Sequence, residues 1–176
     1  MIGKIPEPRT RQEFLNMSIG VKTVFEMCVQ VQKHSNAKIK VGCVVEALEF
    51  RLSKKFSLSE SPLSDFQGCN LHVSDSFGDT HAERMAIDQA LKEKCYPIAV
   101  YVTSTSFQEN VLLCGSCRHY ISEINENCNI VVFNPDGTIK EVSTIKDSYP
   151  NHKDVKKKNQ MFYEYCAGLS DIKKGN

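Results

Sequence analysis

Two short clusters hold the residue types that can do chemistry: His81-Ala82-Glu83 and Cys114-Gly115-Ser116-Cys117. Two cysteines spaced in this way at the start of a helix aim both sulfurs at one point, and the helix N-terminus favours their thiolate form. A histidine at the start of a second helix can supply a third ligand. Three protein ligands leave the fourth tetrahedral position of a zinc ion open to water, which marks a catalytic site rather than a structural one. Zinc lowers the pKa of such a water toward neutrality and makes it a nucleophile for an aromatic carbon that bears an amine. Protons must then travel from the attacking water to a ring nitrogen and on to the departing ammonia. Glu83, two residues beyond His81 on the same turn, is within reach of that task.

Each cluster alone has a plainer explanation. A single C-x-x-C is more often a structural zinc knuckle or a redox pair, and a His-Ala-Glu triplet arises by chance in many helices. The two together are more specific, because both fall where a helix begins and the segment between them holds one helix and one strand. An H-x-E followed by a P-C-x-x-C is the signature of zinc deaminases, and this chain carries both clusters in that order.

The elements that must position these residues follow from periodicity. Residues 12–33 place Phe14, Met17, Val21, Val24, Phe25 and Cys28 on one face, predicting a helix that Asn36 ends. The apolar, β-branched run 41–48 reads as a buried strand. The polar, serine-rich stretch 51–65 predicts a long loop or an extended hairpin, and a second strand is expected around Phe66 to Val73. Residues 80–94 predict the clearest helix, with Thr80 as cap and Glu83 at the capping-box position. Strands are expected at 97–105, at 129–133 and, after a Pro135-Asp136-Gly137 turn, at 138–144, with a helix from Cys114 to Ile124. Helix, two strands, helix, strand, helix, two strands argues for an α/β fold with a mixed sheet of five strands and helices on both faces. Residues 1–150 are expected to form the catalytic domain and 151–176 a tail, in which 161–169 can make a docking helix.

Composition narrows the class. At 176 residues the chain fits one domain, and 41% hydrophobic residues suffice for a core. No apolar run is long enough to span a bilayer, and the first residues lack the apolar stretch of a secretory signal, so a cytoplasmic protein is expected. The chain carries 22 basic and 21 acidic residues, which supply no global attraction to nucleic acid. A local basic run, His152 to Lys158, reads as a solvated tail or a phosphate contact. Of the eight cysteines, Cys28, Cys43, Cys95, Cys128 and Cys166 lie in apolar stretches and read as small core residues in a reducing compartment.

The sequence resembles the cytidine deaminase family of small nucleoside deaminases from about Ile39 to Pro150. The resemblance lies in VGCVV (41–45), FQGCN (66–70), HAERMAI (81–87), CGSCRHYI (114–121) and NPDGT (134–138), in family order. It implies a three-layer α/β/α sandwich and hydrolytic conversion of cytidine and deoxycytidine to uridine and deoxyuridine. It also implies a homotetramer or homodimer in which neighbouring subunits help close each site. It places His81, Cys114 and Cys117 on the ligands of a Zn²⁺ cofactor and Glu83 on the proton shuttle. Asn70 falls on an asparagine that bonds the ribose hydroxyl, and the backbone of Ala82 on a group that holds the pyrimidine edge.

Four positions depart from the family pattern. His72 stands where a glutamate acts as a second ribose ligand, Ile39 where a phenylalanine lines the pocket, and Leu113 where a proline precedes the cysteines. Histidine as first ligand is the choice of the dimeric branch, whereas the tetrameric enzymes usually carry cysteine. Zn²⁺ with two thiolates and a neutral histidine sums to zero, so Arg84, which in the three-cysteine enzymes offsets a surplus negative charge, is left to pair elsewhere or to make the site more electropositive. The segment 49–65, longer than the family norm, reads as a surface insertion or a lid.

Three functions remain open at this point. The first is deamination of cytidine or deoxycytidine. The second is deamination of another amino-pyrimidine, a modified nucleoside or a blasticidin S-like compound, which His72 and Ile39 favour. The third is a zinc-bound, non-catalytic binding module, against which the retention of Glu83 speaks.

Overall fold

The run Val41–Glu49 forms strand β1, buried from Gly42 to Leu48 without alternation, as expected of a strand covered on both faces. In the computed structural model, which describes residues 5, 7–16, 18–49, 62–74, 78–106, 113–149 and 155–168, β1 lies second in a five-stranded sheet. The other strands are β2 (Leu63–Cys69), β5 (Cys95–Ser104), β6 (Asn129–Phe133) and β7 (Ile139–Thr144), in the order β2-β1-β5-β6-β7. Only β5 and β6 run parallel; β2, β1 and β5 pair antiparallel, as do β6 and β7. The parallel pair needs a crossover, and helix α4 (Gly115–Ile124) lies in it.

Strand alternation sorts the core into two halves, giving the mixed five-stranded α/β sheet with helices on both faces. Val44, Ala99, Tyr101, Val131 and Phe133 face α1 (Arg11–Asn16) and α2 (Ser18–Gln32), where Phe14, Val21 and Cys28 meet them. Cys43, Val45, Val100, Val102, Ile130 and Val132 face α3 (Ala82–Lys92), α4 and α6 (Val155–Cys166). The remaining helix, α5 (Ile145–Ser148), follows β7 directly. All eight cysteines carry free thiols, and only Cys114 is not buried. Burial pushes the Cys28 thiol up to about 12, so it behaves as a small apolar group.

Two elements differ from the sequence expectation. The helix expected over 12–33 is two helices, α1 and α2, on either side of position 17, which lies outside the described residues. The strand expected at 66–73 is also two. Asn70 ends β2 because its side chain takes the bond the next strand residue would make: Oδ1 accepts the Val41 N–H at 2.7 Å. The chain then leaves the sheet as β3 (Leu71–Ser74) and pairs with β4 (Gly78–Thr80) in a separate hairpin. The segment 49–65 is an extended antiparallel connection at its base, with Leu48 opposite Leu63; its lid or insertion role falls on residues 50–61, outside the described residues.

Two glycines set the spacing between sheet and helices. A Cβ on Gly42 would lie 1.9 Å from the Cys28 carbonyl oxygen. A Cβ on Gly68 would lie 2.3 Å from the Ala82 carbonyl oxygen and 2.8 Å from the Ala86 nitrogen, so α3 rests directly on β2 there. Backbone cannot rotate away as a side chain can. Gly68→Ala is expected to push α3 outward and lower stability by about 1–3 kcal/mol. The drop is read as a lower denaturant midpoint at unchanged slope; an unchanged midpoint would show that the helix yields freely.

The ends of the described chain are tied to the sheet and to α4. Arg9 exchanges two bonds with the Asn129 side chain, at 2.7 and 2.8 Å, and its guanidinium pairs with Glu46 in β1. Tyr101 Oη donates to the same carboxylate at 3.1 Å. At the other end, α6 begins at Val155, earlier than the 161–169 expected. Asn159 accepts the Glu126 N–H and donates to the Ser122 carbonyl, both at 2.7 Å, and Tyr163 packs edge-on against Tyr96. Lys158, the last residue of the basic run, pairs with Glu123 on α4.

Candidate active site and metal centre

Strand β4 delivers the first candidate ligand. The chain stays extended through His81 (φ −89°, ψ 138°), which is the N-cap of α3 but makes no side-chain capping bond. The capping box expected at Thr80 and Glu83 is not formed. Thr80 is the last residue of β4, and its hydroxyl donates to the Leu71 carbonyl at 3.1 Å. Glu83 turns instead toward the second cluster. There Cys114 is the N-cap of α4, and its sulfur accepts the Cys117 N–H at 3.3 Å. This N–H and the helix dipole both favour negative charge on that sulfur.

The two helix starts meet. His81 Nδ1 lies 3.5 Å from Cys114 Sγ, and the ligand atoms of His81, Cys114 and Cys117 all lie within 4.8 Å of one another. A tetrahedral zinc with ordinary Zn–N and Zn–S bonds has an N···S edge of about 3.6 Å. One imidazole and two thiols at this spacing fit zinc in both donor chemistry and size.

Glu83, on the first turn of α3, is only 5% exposed, and the Cys117 thiol donates to its Oε2 at 3.7 Å. Burial pushes the Glu83 carboxyl above the usual carboxylate range, while its own backbone N–H, His81 and the Cys117 bond oppose the rise. Burial, and then the nearby Glu83 carboxylate, push the Cys117 thiol upward as well. A buried carboxyl that holds a proton more readily than usual suits a group that must accept and release one.

The cluster opens on a cavity of about 530 Å³. Seven of the eight candidate site residues line it: Ile39, Asn70, His72, His81, Ala82, Glu83 and Cys114. Cys117 is fully buried. Val41 and Val102 supply apolar surface, and the volume lies within the roughly 300–1,000 Å³ of small-molecule pockets.

The substrate-side candidates differ in how far they are committed to the protein. Asn70 is buried, and its Oδ1 accepts from Ser35 Oγ at 2.8 Å as well as from Val41, while its Nδ2 donates to the Ile39 carbonyl at 2.8 Å. Both lone pairs of the oxygen and one amide proton hold the 35–41 wall in place, leaving one proton for a ligand. Ile39 is 46% exposed on that wall. His72 is exposed, and its Nδ1 lies 2.7 Å from Asp79 Oδ1. Leu113 is buried in the core behind the cysteines. Arg84 stacks its guanidinium over the Tyr120 ring at 4.9 Å, linking α3 to α4 rather than pairing with a ligand sulfur.

Sequence reasoning missed two residues. Asn36, read only as a helix end, donates to the His72 carbonyl at 3.0 Å and accepts the His72 N–H at 2.8 Å, as a strand neighbour would. Asp79 gave one signal: it stands two residues before His81, and an extended segment leading into that residue puts both on the same side.

Solved structures place this architecture. A cytidine deaminase from Burkholderia pseudomallei matches with a TM-score of 0.59 at 20% identity, over 74% of this chain and 97% of that one. The cytidine deaminase from Bacillus anthracis matches with a TM-score of 0.52 at 12% identity, over 84% and 98%. The chain has the cytidine deaminase fold. The enzyme from Mycobacterium leprae, at 18% identity and a TM-score of 0.52, covers 73% of this chain and 96% of its own. No family model matches the sequence. Within the cytidine deaminase fold seen here, the cluster of His81, Cys114 and Cys117 joins the starts of α3 and α4, which pack with α6 on one face of the sheet.

Proposed function

We propose that the protein is a zinc-dependent hydrolytic deaminase of cytidine and deoxycytidine, serving pyrimidine salvage in the cytoplasm. The observation that carries this reading is Glu83, a buried carboxyl set against a histidine and two thiols at the wall of a nucleoside-sized cavity. A non-catalytic module has no use for that carboxyl, and burying it carries a desolvation penalty. The twin-helix cluster of His81, Cys114 and Cys117 would hold the zinc, which when bound supplies an activated water at neutral pH.

The chain's own residues account for the rest. Glu83 takes a proton from the attacking water and gives it to the ring nitrogen. A bond forms from the water oxygen to the amine-bearing carbon. Glu83 then takes the remaining proton from the newly attached hydroxyl and passes it to the amine; the C–N bond breaks, ammonia leaves, and the oxygen stays on the ring as a carbonyl. The backbone at Ala82 holds the pyrimidine edge, Val41 and Val102 line the cavity with apolar surface, and Asn70 offers its remaining amide proton to the sugar.

A second reading, deamination of another amino-pyrimidine such as a blasticidin S-like compound, is favoured by the exposed histidine at position 72 and by Ile39 at the rim. A panel of cytidine, deoxycytidine, cytosine, dCMP and blasticidin S, followed by ultraviolet absorbance, decides between them. Loss of the amine on cytidine or deoxycytidine supports the first reading. Turnover confined to blasticidin S supports the second, and no turnover by zinc-loaded protein sinks both.

The protein is expected to assemble, with a neighbouring copy closing each cavity as a homotetramer or homodimer. Its elution volume should then correspond to a multiple of the 19.9 kDa chain. A fully active monomer at micromolar concentration would show that no neighbour contributes. No helix among the described residues is long and apolar enough to cross a membrane.

A further inference from the structure

The β3–β4 hairpin carries a histidine–carboxylate pair at the wall of the cavity. Its register sets His72 directly opposite Asp79, and the two side chains meet at 2.7 Å. They are 48% and 45% exposed, so the pair is not a core device. An exposed pair of this kind adds little to stability, which leaves its position to be explained by something else. Both residues line the same cavity as His81 and Glu83. The hairpin that holds them is pinned from outside by Asn36, which bonds both backbone groups of His72. It is tied to the metal-ligand cluster as well, because Asp79 and His81 are two residues apart on one extended segment and point to the same side. The carboxylate therefore stands at a fixed offset from the reacting end of the cavity.

We propose that Asp79, oriented by His72, is the acceptor with which this cavity reads hydrogen-bond donors on its substrate, at the end remote from the amine that is lost. This rests on the deaminase reading of the same cavity. Position 72 holds a ring where an acidic acceptor was expected, and the geometry shifts the acceptor across the strand pair to position 79. Asp79 is thus the specificity-determining residue and His72 its positioning residue. A carboxylate takes sugar hydroxyls and the ammonium group of a cationic side arm by the same chemistry, a charge-assisted hydrogen bond. Lys38, also on the cavity wall, supplies charge of the opposite sign.

The test compares cytidine with 2′,3′-dideoxycytidine, in the parent protein and in Asp79→Asn and Asp79→Ala. The parent should prefer the hydroxylated nucleoside in kcat/KM by roughly tenfold or more, the worth of one hydrogen bond to a charged group. Both variants should lose that preference, falling on cytidine while the dideoxy compound changes by less than about threefold. His72→Gln should lose part of it. Equal losses on both nucleosides would make Asp79 merely structural and overturn the inference, as would a preference that survives both substitutions. Calorimetric binding of uridine and 2′,3′-dideoxyuridine reads the same ratio without turnover. A parent that binds uridine roughly tenfold better, with that preference lost in Asp79→Asn, but deaminates nothing would overturn the deaminase reading and uphold Asp79. Equal or absent binding of the two by the parent, or a preference kept by Asp79→Asn, would overturn the assignment, unless blasticidin S binds. In that case a loss on Asp79→Asn that shrinks with added salt identifies the donor as ammonium, and an unchanged affinity overturns the inference.

Discussion

Glu83→Gln should fold and take up zinc as the parent does, and lose turnover by at least about 10²-fold, the usual contribution of general acid–base catalysis. The amide matches the carboxyl in shape, so the packing around α3 is kept. It neither accepts nor releases the proton that the reaction moves. Because the parent carboxyl is buried and held above its usual range, the amide also relieves a desolvation penalty. The variant should therefore melt no lower than the parent, and removing a charge that disfavours its own burial can raise the melting point. Metal analysis, a thermal melt and steady-state rates check the three parts. Near-normal turnover would mean that another group moves the proton.

Cys117→Ala should lose both zinc and activity. The parent is expected to hold one zinc per chain, and removing one of three ligands leaves a histidine and one sulfur, too few for a tight site. The control is Cys28→Ala, which deletes an equally buried thiol from the opposite face of the sheet. That change leaves a cavity of similar size but touches no ligand, so it should lower stability while leaving zinc content and kcat/KM unchanged. Zinc held at this site would stabilise the folded chain by mass action, so a chelator should lower the melting temperature of the parent and leave that of Cys117→Ala where it was. A parent that purifies without zinc and cannot be loaded would remove the basis of the proposed chemistry.

The candidate site was legible where chemistry restricts residue choice, and the fold where a strand is buried on both faces. The pairing of H-x-E with C-x-x-C pointed to the residues that meet as the cluster of His81, Cys114 and Cys117, and continuous apolar runs at 41–48 and 129–133 located β1 and β6. What local pattern could not show was which of two identical motifs would be used as such. Two of the chain's Thr-x-x-Glu runs precede helical patterns in the same way, Thr10–Glu13 and Thr80–Glu83. The first is a true capping box: Glu13 Oε2 accepts the Thr10 N–H at 2.6 Å, and the Glu13 N–H reaches Thr10 Oγ1 at 3.3 Å. The bonds from Thr10 hold the Glu13 carboxyl below its usual range. At the second, tertiary structure wins. Thr80 is spent on pairing with β3, and Glu83 is drawn into the cavity, so a favourable local cap is given up at the residue the site needs. The break at Asn70 escaped for a related reason. Asn70 ends a strand through bonds to Val41 and Ser35, partners far away in sequence. Asp79 escaped because a pair across two short strands leaves no period to detect.

The bonds between Arg9 and Asn129 also bear on the order in which the molecule assembles. These partners are 120 positions apart, so the segment around Arg9 can take its place only after β6 has been made. Asn129 holds the Arg9 backbone, so the guanidinium is fixed beside Glu46 only once β6 is in place. The N-terminal arm thus acts as a late latch. A protease that removes it from the finished protein would recreate that earlier state. Severing a fully buried pair costs about 3–5 kcal/mol, a figure that the partial exposure of Arg9 reduces. Chains clipped between Arg9 and Phe14 should therefore unfold earlier than intact ones, although the cut lies on the face of the sheet opposite α3 and α4.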